Sequence, residues 1–271
     1  MKQLAILVFL FSAVQGWSAG QVQWIHSFDQ AVIQAKKSGK PIFIDAFADW
    51  CDWCHKLDQE VYADAKFVKY IERFVPVKID VEDGGEGTQF AEKYAITGLP
   101  TLLVTDANGI LTNRIGGFME VDQLIEDLEG IQKLVERERK NSKDADASFQ
   151  LAKEYLARDM NTEAESRFQR ILSSPDATTG QRETSQFSLA LTQYYQRNFD
   201  LALGTLESYE KTYQYGESGE DALLLLSEIH MELDANDKAR YYLEQFLKKY
   251  PNSGNKSRAL QVLSTLDEKS N

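Results

Sequence analysis

The feature that most constrains this chain is the segment Phe47-Ala48-Asp49-Trp50-Cys51-Asp52-Trp53-Cys54-His55, which holds its only two cysteines. Upstream, Pro41 to Phe47 is a short apolar, aromatic-rich run of the kind that forms a buried strand. Downstream, Cys54, Leu57 and Val61 recur at helical spacing and share one face. A strand therefore feeds a helix, with the first cysteine at the helix start. Unpaired N–H groups and the helix dipole favour a thiolate there. The second cysteine is one turn on, on the same side, close enough for a disulfide.

Four uses fit such a pair. A static disulfide suits an exported chain, although a bridge over so short a loop constrains the unfolded state little. A zinc site needs about four ligands, and there is no second CxxC or histidine pair, so no metal is expected. Cys51-Asp52-Trp53-Cys54-His55 satisfies the c-type haem attachment pattern CxxCH. Reversible thiol chemistry is the fourth, and it needs no cofactor.

Further residues carry a resemblance to the thioredoxin superfamily. Asp45 lies six positions before Cys51, where that family keeps a buried acid. Trp50 precedes the first cysteine. Val77-Lys78-Ile79-Asp80 resembles the strand whose lysine pairs with that acid. Thr97-Gly98-Leu99-Pro100-Thr101 resembles the loop with a cis-proline facing the cysteines, and Gly116-Gly117 follows the last strand. The resemblance spans roughly residues 22 to 140 and implies a thiol-disulfide oxidoreductase. It assigns Cys51 as the exposed nucleophile and Cys54 as the resolving thiol, which together form the redox-active disulfide. It gives Asp45 the proton transfer and Lys78 the tuning of its pKa. Trp50, Trp53, Leu99 and Pro100 then bound the substrate site. Asp52-Trp53 replaces the Gly-Pro of thioredoxin itself, and Asp52 opposes thiolate formation beside the nucleophile. His55 is either a cation near the thiolate or a solvent-facing side chain. His26 and His230 have no partner pattern.

The fold class follows from the order of elements. Ser27 caps a helix striped by Phe28, Ala31, Val32 and Ala35. Phe67, Val68, Ile71 and Phe74 mark another helix, and Val75 to Val81 a strand. Glu82 to Gly87 reads as a loop and Thr88 to Tyr94 as a short helix. Leu102 to Thr105 and Ile110 to Ile115 flank the turn Asp106-Ala107-Asn108-Gly109. Val121 to Val135 stripes a long last helix. This is an α/β thioredoxin-like pattern with a mixed sheet flanked by helices.

Charge density rises from Glu136 to Asp146, and helical periodicity takes over. The alanines Ala164, Ala202 and Ala239 mark a repeat near the tetratricopeptide period. Three tetratricopeptide-like hairpins and a capping helix from Asn255 to Leu266 are expected, forming an all-α region that docks a protein partner. The expected division is a signal peptide over 1–20, a thioredoxin-like domain over 21–140 and a helical-repeat domain over 141–271.

Lys2, the apolar run Leu4 to Val14 and the small residues Ser18-Ala19-Gly20 form the expected leader. Its removal would leave a periplasmic or secreted protein with no integral membrane segment. The net charge of −12 is spread over both halves, so nucleic acid is excluded as a partner. The expected partners are a disulfide-bearing client and a redox partner. A redox-inactive scaffold with a static Cys51–Cys54 bridge is the alternative.

Overall fold

In the computed structural model, residues 20–213 and 216–270 are described. The leader expected over residues 1–20 lies outside them but for Gly20. Two compact units emerge: Met1–Ile110 with Gly117–Ile125, and Leu111–Gly116 with Glu126–Asn271.

The first unit opens with α1 (Phe28–Ser38). Ser27 caps it by accepting the Gln30 N–H, and Gly39, at φ +70°, ends it. The expected strand follows as β1 (Ile42–Phe47), buried along nearly its whole length. Only a strand covered on both faces is so uniformly apolar, and Asp45 is its single exception.

The helix expected after the cysteines forms in two parts, α2 (Asp52–Lys56) and a π-helical turn over Leu57–Val61. Leu57 and Val61 are buried as the periodicity requires. The wide turn adds a residue, which the periodicity did not indicate, and Tyr62 N–H closes it on the Leu57 carbonyl at 2.8 Å. Asp64 caps α3 (Ala65–Ile71), after which β2 (Val75–Asp80) pairs in parallel with β1.

The segment read as a loop to Gly87 instead starts α4 (Glu86–Lys93). Asp83 organises that start by accepting the N–H groups of Gly85, Gly87 and Thr88. A Cβ on Gly87 would lie 1.8 Å from the Asp80 carbonyl oxygen, so only glycine lets α4 meet the end of β2. Next comes β3 (Thr101–Thr105), antiparallel to β1. With β4 (Leu111–Gly116) the sheet order is β2-β1-β3-β4. This is the expected mixed sheet, with Phe43, Ile44, Leu57, Phe67, Val77 and Leu103 in its core.

The last helix of this pattern, α5 (Val121–Lys140), runs through the charge-dense stretch. Pairs of Glu136 with Arg139 and Lys140 support its end. In the second unit, Ile131 of α5 packs with Leu151, Ala152, Tyr155 and Phe168, and Leu134 and Val135 join them. The remaining chain is helical: α6 (Ala145–Ala157) with α7 (Asn161–Ser173), α8 (Thr179–Tyr195) with α9 (Phe199–Thr212), α10 (Gly219–Glu232) with α11 (Asn236–Lys249), and a final α12 (Lys256–Ser270). Ala164, Ala202 and Ala239 are fully buried at equivalent places in the second helices.

The three hairpin turns repeat one geometry. Asp159, Arg197 and Asp234 take positive φ at 55°, 60° and 54°. The residue after each donates its N–H to a carbonyl five positions back, on Tyr155, Gln193 and His230. This is the bond that closes a Schellman helix end, here built without glycine.

Candidate functional site

The site begins where β1 ends. Cys51 N–H donates to the Ala48 carbonyl at 3.0 Å, which turns the chain out of the sheet. Cys51 is the extended residue capping α2, and its Sγ accepts the Cys54 N–H at 3.1 Å. The two cysteines form a disulfide across a Cα separation of 5.2 Å. Cys51, expected to be exposed, is only 3% exposed, and Cys54 1%. The Cys51 sulfur is engaged by Cys54, bonded to its sulfur and accepting its N–H, while the neighbouring indoles face solvent.

Asp45 and Lys78 sit opposite each other in the β1–β2 register. Asp45 is fully buried, with Oδ2 3.2 Å from Lys78 Nζ. Neither carboxylate oxygen meets an aligned hydrogen bond. Burial pushes the Asp45 pKa up to about 6, against the opposing pull of Lys78. Lys78 also pairs with Asp58, which lies on the π turn. The Tyr62 hydroxyl is buried in the same group, and burial together with the charges of Asp45 and Asp58 raises its pKa. The rings of Trp24, Phe47 and Tyr62 surround the Lys78 ammonium at 4.9 to 5.8 Å.

The loop before β3 holds the expected cis peptide bond, Leu99–Pro100. Thr101 pairs with Ala46, so Pro100 and half-buried Leu99 arrive at the end of the sheet from which the cysteine loop leaves. The Pro100 carbonyl accepts the Gly117 N–H at 2.9 Å. Trp50 and Trp53 are 65% and 56% exposed. Trp50 donates Nε1–H to Glu82 at 2.9 Å, and Trp53 meets Phe118 at 5.8 Å between centroids. His55 is exposed, and its Nε2–H donates to the Asp49 carbonyl at 2.8 Å, so it braces the loop before Cys51.

Residues 28–132 match the family model described as a thioredoxin-like domain, and residues 221–253 match a tetratricopeptide repeat. Residues 28–132 are a thioredoxin-like domain. Similar proteins include the thiol:disulfide interchange protein DsbD of Pseudoalteromonas atlantica. It is 32% identical over 102 residues, 36% of this chain and 17% of the relative. The DsbD of Campylobacter jejuni is 28% identical over 107 residues, 39% of this chain and 19% of the relative. The match thus spans less than a fifth of either relative. Among solved structures, a putative disulphide-isomerase from Bacteroides thetaiotaomicron is 31% identical with a TM-score of 0.38, covering 41% of this chain and 93% of that one. A DsbH oxidoreductase is 20% identical with the same TM-score, covering 49% and 96%.

In this thioredoxin-like domain the structure brings Cys51, Cys54, Trp50 and Trp53 into one surface loop, with Asp45 and Lys78 paired in the strands behind it. It adds Asp58, on the π turn, and Tyr62, which closes that turn; local periodicity missed both because their partners Lys78 and Asp45 lie on other elements. It also adds Glu82 and Phe118, which only long-range folding brings to the tryptophans. No group of three or more His, Cys, Asp or Glu residues suited to a metal occurs among the described residues.

Proposed function

We propose that the chain is an exported thiol-disulfide oxidoreductase that reduces or interchanges protein disulfides through Cys51 and Cys54. One observation carries the reading: the Cys51–Cys54 disulfide stands at a helix start, at the exit of the strand that holds Asp45, buried beside Lys78 of the neighbouring strand. In the reduced protein, the Cys51 thiolate attacks a client disulfide, forming a mixed disulfide and releasing one client thiolate. Asp45, with its raised pKa, takes the Cys54 proton. Cys54 then attacks the Cys51 sulfur, releases the second client thiolate and leaves the disulfide seen here. Lys78 and Asp58 set the charge around Asp45. A dithiol redox partner returns the two electrons.

Export is supported by the leader-like residues 2–20, and no described helix is long and apolar enough to cross a membrane. The helical region over 141–271 docks a protein partner in this reading, supported by its stacked hairpins and the tetratricopeptide match. Burial of both cysteines favours one rival, a scaffold with an inert bridge.

Insulin reduction driven by dithiothreitol separates them. Wild-type protein accelerates it, Cys51→Ser lowers the rate at least about a hundredfold, and Cys54→Ser accumulates a mixed disulfide through Cys51. A wild-type rate no higher than that of the double serine variant leaves the scaffold.

A further inference from the structure

The surface around the cysteine pair is chemically lopsided. Asp49 and Asp52 flank Cys51 and are exposed. A third carboxylate, Glu82, arrives from the loop after β2 and accepts Trp50 Nε1–H at 2.9 Å. That bond orients an indole that is 65% exposed, so a fixed aromatic surface stands beside three carboxylates. None of the three is in an ion pair among the described residues.

The basic side chains of the same loop and of the strands behind it are engaged elsewhere. Lys56 lies over the Phe118 and Trp53 rings at 4.3 and 5.3 Å and 3.5 Å from Glu60. Lys78 is buried with Asp45 and Asp58. The His55 ring donates to a backbone carbonyl. Trp53 is therefore already covered by a cation, whereas no cation is placed over the Trp50 ring among the described residues. An oriented indole with negative charge around it attracts a cation by its quadrupole and by the field of the carboxylates.

We propose that Trp50, Asp49, Asp52 and Glu82 select disulfides flanked by positive charge, such as a peptide segment carrying lysine or arginine next to its cysteine. This rests on the exchange activity proposed above and names the charge class of its substrate. The chemistry is unchanged: two electrons pass from Cys51 and Cys54 to the substrate disulfide, two substrate thiols form, and a dithiol donor restores the pair. The collar acts on encounter and orientation, so its effect appears in the bimolecular rate and is screened by salt.

The test uses the full chain, reduced with dithiothreitol, desalted and mixed in single turnover with three disulfides. Cystamine is cationic, 2-hydroxyethyl disulfide neutral and dithiodiglycolate anionic. Each rate is divided by that disulfide's rate with dithiothreitol, which corrects for leaving-group differences. The expected result at low ionic strength is a normalised rate for cystamine at least about tenfold above that for dithiodiglycolate. The gap narrows in high salt. Glu82→Gln retains a carbonyl acceptor for Trp50 while removing the charge, and narrows the gap about threefold. Equal or reversed preference, with the neutral disulfide still reduced, overturns the selectivity and leaves the exchange reading standing. Failure to reduce even the neutral disulfide overturns the exchange reading, and the selectivity with it.

Discussion

Buried charge is handled in opposite ways in the two units. In the first, Asp45 is fully buried, lacks an aligned hydrogen bond and has a pKa pushed up to about 6. In the second, Asp127 accepts Arg158 at 2.5 Å and Asn113 at 3.1 Å, while Arg158 also meets Asn113 and Glu154. Nearby, Glu138 accepts Ser148, Arg167 and Arg170 at 2.7 to 2.9 Å. A partnered carboxylate ties elements together. An under-partnered one, at rest close to titration, is suited to moving a proton.

The largest effect expected from this contrast is in the second unit. Asp127→Ala leaves half-buried Arg158 with Glu154 as its one carboxylate and takes the acceptor from the Asn113 amide, and should lower stability by about 3 kcal/mol. Replacing the pair together, Asp127→Leu with Arg158→Met, should recover most of that loss. Chemical denaturation of the three variants checks both. A negligible change in Asp127→Ala would break the claim that this network binds its elements.

Asp45 should respond in the opposite direction. Its folded pKa lies above its ordinary value of 3.8, so the fold favours the protonated form. That contribution is present below about pH 3.8 and is lost as pH rises through about 6. At pH 7.5 the buried charge costs up to about 3 kcal/mol. Asp45→Asn should therefore match wild type near pH 3.5 and exceed it in stability at pH 7.5, while slowing resolution of the mixed disulfide. Paired pH-dependent denaturation curves measure this. A variant less stable than wild type at pH 7.5 would show that the carboxylate is a structural partner of Lys78 after all.

Asp45 and Lys78 were legible through the family resemblance, which expects a buried acid six positions before Cys51 and a lysine in the following strand to pair with it. Asp58 was not. It lies four residues after Cys54 and three before Val61, on the same helix face, but an acid on an apolar stripe names no partner, and only tertiary folding brings it to Lys78. The acidic, glycine-rich stretch before Thr88 looked like loop because the capping role of Asp83 depends on three backbone N–H groups that exist only once the turn has formed. Glu82 and Phe118 reach the tryptophans by tertiary folding, which no local pattern encodes. The repeat spacing of the alanines survived intact, since burial against a neighbouring helix imposes a small residue at each turn of the array. Part of the expected last helix, from Ile131 to Val135, shares its core with α6 and α7. Apolar periodicity shows that a helix face is buried and leaves its partner open.

The smallest expected effect concerns the hairpin turns. Asp234 holds φ at +54°, a region disfavoured for a side chain bearing Cβ. Asp234→Gly should stabilise the helical unit by at most about 1 kcal/mol, because relief of strain is offset by glycine's larger loss of freedom. Thermal unfolding of the variant checks the sign. Destabilisation would mean that the aspartate side chain holds its turn.

The most direct test of the account is the reduction potential of the Cys51–Cys54 pair, measured by equilibration in dithiol redox buffers. An exchange site should lie between about −120 and −270 mV, the span of thioredoxin-fold exchange proteins. A potential below about −300 mV, typical of structural bridges, would contradict the account and identify the disulfide as inert.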